Sequence, residues 1–247
     1  MGILILALGA VGLLVRGAAV LRFTAIFRPG DMMLQVTRQQ ILIGRKLFLL
    51  AGFAGLRKDF RRYPGPLPKA FLVVSNHQSL ADIALLPQLL PGHHLRFVAK
   101  SQLKHGVPYV SLALRLGQHA VISRTSDYRA GKRAMMKLAD LAHQGVCPTV
   151  FPEGRRSRTG DVQPFQSGAF RIILERAPLP VLSVAVDGGY RISTLTRLIS
   201  SMRGASYRAQ PLTLYPAPRG KKEVLELLEK VAKEITAQVH RWRAAEG

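Results

Sequence analysis

His77 and Asp82 stand five positions apart in the stretch "VVSNHQSLADI", directly behind an apolar run. An imidazole beside a carboxylate can take up and return a proton, because the carboxylate fixes the tautomer and supports the cation that forms. Along one regular helix, five residues amount to about 140° of rotation, and the two side chains diverge. They meet only if His77 lies in the turn ahead of a helix and Asp82 in its first turn. A plainer account fits the same letters. Ser79 followed by Asp82 is a variant of the helix-capping pattern, in which Asp82 serves backbone amides and His77 is a loop histidine.

Two further stretches carry groups suited to an anion. In "FPEGRRSRTGDVQPFQSGAF", Pro152 and Gly154 force a turn from which Arg155, Arg156 and Arg158 project. Planar guanidinium forks bind phosphate bidentately, and Glu153 among them can orient an arginine or accept from a hydroxyl. A solvated basic loop is the alternative. Lys100 and Arg124 each follow a strand-like run, and parallel strands would bring both to the edge occupied by His77. The chain has no G-x-S-x-G elbow, no phosphate-binding G-x-x-x-x-G-K-[ST] loop and no H-E-x-x-H pair. Cys147 is the only cysteine, so no cysteine-based zinc site and no internal disulfide can form. Its place in an apolar strand suits packing rather than nucleophilic attack.

The elements that must hold these groups alternate. Strands are expected at 71–75, 95–100, 119–123, 146–151 and 179–186, with helices at 80–90, 127–144 and from Ser167 to Ala177. Pro148 suggests that the fourth of these strands is an edge or carries a bulge. The stripe Val224, Leu227, Leu228, Val231, Ile235 and Val239 predicts an amphipathic C-terminal helix. The class is therefore α/β, with a mixed, mostly parallel sheet flanked by helices.

The chain has 247 residues, 36 Lys+Arg against 14 Asp+Glu, and a net charge of +22. That surface seeks anions: nucleic acid, anionic lipid or an acidic carrier. At 7% aromatic content with one Trp, base stacking is poorly provided for. Lipid is favoured by the amino terminus. Residues 1–15 are apolar without interruption, Arg16 and Arg22 follow, and a second apolar run at 41–56 carries Arg45 and Lys46. Two such helices suit a membrane-associated hairpin with cations at the headgroups. The basic residues follow the first run instead of preceding it, which disfavours a cleaved signal peptide. Pro64, Gly65, Pro66 and Pro68 mark the boundary beyond it, so the expected organisation is a hairpin at 1–56 and an α/β domain at 57–247. The basic stretch Arg191–Gln210 is expected at the surface, against anionic lipid, an acidic carrier protein or solvent.

Taken together, "NHQSLAD", "VAKSQLKHGVPYVSLALRLGQHAVISR", "FPEGRRSR" and "APLPVLSVAV" resemble four ordered blocks of the glycerolipid acyltransferase family, the bacterial 1-acylglycerol-3-phosphate acyltransferases in particular. The resemblance implies an α/β domain behind a two-helix membrane motif at the cytoplasmic face of the cell membrane. It implies acyl transfer from acyl-CoA or an acyl carrier protein to the hydroxyl of a lysophospholipid, lysophosphatidic acid above all, with no cofactor, no metal and no nucleic-acid partner. By match, His77 becomes the general base and Asp82 its partner. Arg124, Glu153, Gly154, Arg156 and, more weakly, Lys100 become acceptor contacts. Arg155 stands where the family usually has Thr, and Ser123 where many members have Asp, which opens the acceptor to other lysolipids such as a lyso-ornithine lipid. A basic nucleic-acid-binding protein or a membrane scaffold is the rival of another class.

Overall fold

The computed structural model describes residues 2–106, 108–123, 128–194, 197 and 201–245. Its centre is a seven-stranded sheet in the order β1-β7-β6-β2-β5-β3-β4. The strands are β1 (Arg57–Phe60), β2 (Leu72–Ser75), β3 (His94–Lys100), β4 (Ala120–Ile122), β5 (Val146–Val150), β6 (Val181–Asp187) and β7 (Ser206–Tyr215). Strands β2 to β6 run parallel, and β7 is antiparallel to β6 and parallel to β1. The expected mixed, mostly parallel sheet flanked by helices is thus present.

The interior strands read as continuous apolar runs because both faces are covered. On one face α5 (Tyr128–Asp140), α6 (Ser167–Arg176) and α7 (Gly220–Ala244) bury Leu138, Phe170, Ile173, Val231 and Ile235 against Leu72, Val74 and Val150. On the other, α2 (Met32–Phe53) and α3 (Ala81–Leu89) bury Phe48, Leu85 and Leu86 against Phe71, Val73 and Tyr207. Helix α1 (Gly2–Phe27) lies outside this layer, with Ala18 and Leu21 packed on Val36 and Ile43 of α2 and on Tyr109 and Ala113 of α4 (Pro108–Leu116).

Arg96, wholly buried on β3, fastens α2 to the sheet. Its guanidinium donates to the Met33 carbonyl at 2.8 Å and to Thr37 Oγ1 at 3.1 Å. Burial lowers its pKa to about 10, still well above neutrality.

Three expectations need correction. Strand β5 is interior, between β2 and β3, despite Pro148. The ladder from β2 reaches only Thr149 and Val150, so Pro148 stands where that ladder has not begun. Residues 206–210, read as surface, open β7, which alternates buried Tyr207, Ala209 and Pro211 with more exposed neighbours. The boundary segment also holds a strand, β1, at the sheet edge. In addition, α1 continues through Arg16 and Arg22 to Phe27. Among the described residues it is the one helix long and apolar enough to cross a membrane, over Ala7–Phe27; α2 is not.

Candidate functional site

The carboxyl ends of parallel strands leave a crevice in which α/β proteins hold ligands. Here β2 ends at Ser75 and β5 at Val150, and the loops beyond them interlock. Asn76, wholly buried, donates to the Val186 carbonyl and accepts from the Val186 amide, each at 2.9 Å, pinning the first loop to β6. Gln78 is equally buried and donates to the Gly160 carbonyl and to Asp187 Oδ1, at 2.8 and 3.0 Å.

His77 sits between these anchors, in the turn ahead of α3, with Asp82 in that helix's first turn. Its Nδ1 is 2.7 Å from Asp82 Oδ2. The same Oδ2 accepts the backbone N–H groups of Gln78 and Ser79 at 2.7 and 2.9 Å. Asp82 thus makes both sets of contacts: it satisfies backbone amides and also holds the imidazole. Since the carboxylate accepts, Nδ1 carries the proton and Nε2 keeps a lone pair. The His77 side chain is 13% exposed and that of Asp82 0%, so one ring nitrogen is buried in a fixed bond while the ring remains reachable. The imidazole stacks on Phe151, ring centroids 4.1 Å apart.

The second loop grips the His77 backbone from both sides. Glu153 Oε1 accepts the His77 amide at 2.8 Å, and the His77 carbonyl accepts the Ser157 amide at 2.7 Å. Glu153 Oε2 takes the Gln163 amide at 3.2 Å. Sequence reading aimed Glu153 at an arginine or a ligand hydroxyl; here both its oxygens serve backbone amides instead. Burial raises its pKa to about 7, against the pull of the two amides and of Arg155, with Asp82 adding to the rise. Gly154 makes the turn after it with φ of +64°, a left-handed conformation natural to glycine.

Lys100, Arg155, Arg156, Arg158 and Arg197 line an open groove of about 850 Å³, and no acidic residue is among its described lining. The structure thus brings Lys100 and Arg156 together beside His77, and adds Arg197, which sequence reading left in a surface segment. Arg124 lies outside the described residues. Against α3 is an apolar cavity of about 300 Å³, walled by Leu47, Leu80, Ile83, Phe97, Tyr109 and Leu114. Leu80 belongs to the His77 loop, and Phe97 stacks on Phe151 behind the imidazole, at 6.1 Å between centroids. Among the described residues no cluster of His, Cys, Asp and Glu could hold a metal ion.

Sequence reading missed Tyr207, whose hydroxyl donates to Asp82 Oδ1. The period-two pattern of "SYRAQPLTLY" was the available signal, masked by the arginines before it.

A histidine and a carboxylate at a strand end thus stand in one fold with an arginine-lined groove and an apolar cavity. The chain belongs to the acyltransferase family, whose model matches residues 62–187. It is 34% identical over 139 residues to the human 1-acyl-sn-glycerol-3-phosphate acyltransferase beta, covering 53% of this chain and 47% of that protein. It is 31% identical over 119 residues to the chloroplastic 1-acyl-sn-glycerol-3-phosphate acyltransferase BAT2 of Brassica napus, covering 48% and 33%. The chain thus spans half or less of the length of these relatives. The crystal structure of the 1-acyl-sn-glycerophosphate (LPA) acyltransferase PlsC from Thermotoga maritima superimposes with a TM-score of 0.70, covering 98% of this chain and 96% of that one at 22% identity. That likeness extends the shared fold to α1 and α2, beyond the segment the family model matches.

Proposed function

We propose that this chain transfers a fatty acyl group from a thioester to the free hydroxyl of 1-acylglycerol-3-phosphate, giving phosphatidic acid, with His77 as general base. The observation that carries the reading is the His77–Asp82 contact, set between a groove for phosphate and a cavity for a hydrocarbon chain. The acceptor's phosphate lies against Arg156, Lys100 and Arg124, and the acyl chain enters the apolar cavity. His77 Nε2 takes the proton of the acceptor hydroxyl as its oxygen attacks the thioester carbonyl. The tetrahedral intermediate collapses, the C–S bond breaks, and His77 returns the proton to the departing thiolate. Asp82 holds the tautomer and supports the imidazolium in between. Glu153 and Gly154 form the turn that steadies the His77 backbone. No protein nucleophile and no cofactor is required, and the thiol carrier is CoA or an acyl carrier protein.

The groove, with no acidic residue among its described lining, supports a phosphate over the cationic headgroup of a lyso-ornithine lipid, whose amine would face arginines. Residues 1–56 are the proposed membrane attachment, at the cytoplasmic face, with residues 57–247 as the catalytic domain. Ile26 and Phe53 support this: they are 72% and 82% exposed, alongside Leu8, Val11, Val15, Phe23, Phe27 and Leu49. Arg16 and Arg22, both exposed on α1, reach toward headgroups.

The test is acyl transfer in mixed micelles, offering acyl-CoA and acyl carrier protein thioesters with lysophosphatidic acid and other lysolipids. The wild-type protein is expected to form phosphatidic acid, and His77→Ala to lose roughly 10²–10⁴-fold in kcat. Transfer undiminished in His77→Ala would overturn the assignment of the base. Transfer only to another lysolipid would move the acceptor.

A further inference from the structure

Asp82 has two oxygens, and the catalytic reading uses one. Oδ2 collects His77 Nδ1 and the amides of Gln78 and Ser79. Oδ1 accepts the hydroxyl of Tyr207, a residue beyond the segment matched by the family model. Tyr207 reaches it because β7 is antiparallel: its first residues, not its last, lie at the carboxyl edge of the parallel strands, where Arg208 pairs with Asp187. The phenol is wholly buried, with its ring against Phe48 at 5.5 Å and Phe60 at 5.8 Å. Space for the hydroxyl is reserved by Gly189, where a Cβ would stand 3.0 Å from it and 3.2 Å from Ser79 Cβ.

We infer that Tyr207 is a positioning residue of the His77–Asp82 pair: its O–H fixes the plane of the carboxylate and draws charge toward Oδ1, so that Oδ2 meets the imidazole in one orientation. The inference rests on His77 being the base. Burial, then the neighbouring Asp82 charge, hold the phenol well above its usual pKa, so it remains a donor at working pH. Without that donor, charge concentrates on Oδ2, the imidazolium is favoured, and the carboxylate gains freedom to turn. His77 then titrates higher while turnover falls.

The other charged groups around the pair stay in place when the hydroxyl goes. Glu153 holds the His77 amide and faces Arg155. Asp187 faces the phenol and is paired with Arg243 at 2.8 Å. The Lys58 ammonium is held by the Phe48 carbonyl at 3.0 Å. A shift in titration therefore reads the missing O–H.

The experiment uses the full chain in micelles, comparing wild type, Tyr207→Phe, His77→Ala and a protein carrying 3-fluorotyrosine at position 207. The readouts are kcat and KM against pH and the NMR titration of the His77 ring, assigned by its loss in His77→Ala. Tyr207→Phe should lower kcat roughly tenfold with KM little changed, as expected for one hydrogen bond to a charged group. The His77 ring should also titrate at higher pH in this variant than in wild type. The fluorinated phenol, a stronger donor, should move the titration down; it decides the matter alone if Tyr207→Phe fails to fold. Unchanged titration, with His77→Ala inactive, would overturn this inference and leave the proposed function standing. An active His77→Ala would overturn the function reading, and this inference with it.

Discussion

Glu153 joins two demands that oppose each other. Its amide contacts with His77 and Gln163 favour the carboxylate, while burial favours the neutral acid, and burial prevails in raising the pKa to about 7 from 4.5. A carboxyl whose folded pKa lies above its unfolded one contributes stability below the unfolded value and loses it as pH rises through the folded one. Wild type should therefore lose stability relative to Glu153→Gln between about pH 4.5 and 7, as urea midpoints across that window would register. The same substitution leaves one of the two amides facing an NH2 group, so kcat should drop at every pH, by about tenfold. The identities of His77, Asp82 and Glu153 as polar groups beside strand ends were legible from spacing and breakers. The bonds of Glu153 were not, because it is turned inward by amides whose positions depend on how two distant loops fold against each other.

At the scale of elements, the hairpin is set by how closely α2 approaches α3. Gly44 permits this: a Cβ there would stand 2.2 Å from the Ala84 carbonyl oxygen, which is helix backbone and cannot swing aside. Gly44→Ala should destabilise the fold by about 1–3 kcal/mol, the usual range for overpacking, as thermal or urea unfolding would show. Phe48, nearby on α2, fills the layer over Phe60 and Tyr207. Phe48→Ala should cost about 3–5 kcal/mol and also loosen the phenol. Strands with continuous apolar runs, such as β2, β5 and β6, were legible because burial on both faces leaves little room for polar letters. Strand β7 was not, since it carries arginine and glutamine on its partly exposed positions and a proline among its buried ones. Pro148 misled for a related reason: the cost of a proline in a sheet depends on which neighbour its missing N–H would have met, and that is a property of register.

For the whole molecule, charge and apolar surface act together. A net charge of +22 accompanies an exposed apolar face on α1 and the end of α2. Replacing Phe23, Ile26 and Phe53 with Ser should release the protein from vesicles with little change in unfolding temperature, since these side chains pack on little inside the fold. Retention on anionic vesicles should weaken with salt, and retention on zwitterionic ones much less, as flotation assays would show. The excess of cations pointed to an anionic partner from composition alone, but the groove that gathers five of them draws on separate segments that only the fold brings together. The sheet's outer edge carries one more consequence, for the order in which the molecule is assembled. Among the described residues β1 pairs with β7 alone, so Arg57 waits for Ser206. During synthesis α1 and α2 emerge long before that edge can close, and the hairpin is free to meet a bilayer while the remainder is still being made. Tyr207 arrives with the closing strand. If residues 1–56 are the attachment proposed above, a chain in the midst of translation reaches the bilayer first, and His77 and Asp82 gain their last neighbour only once the sheet is complete.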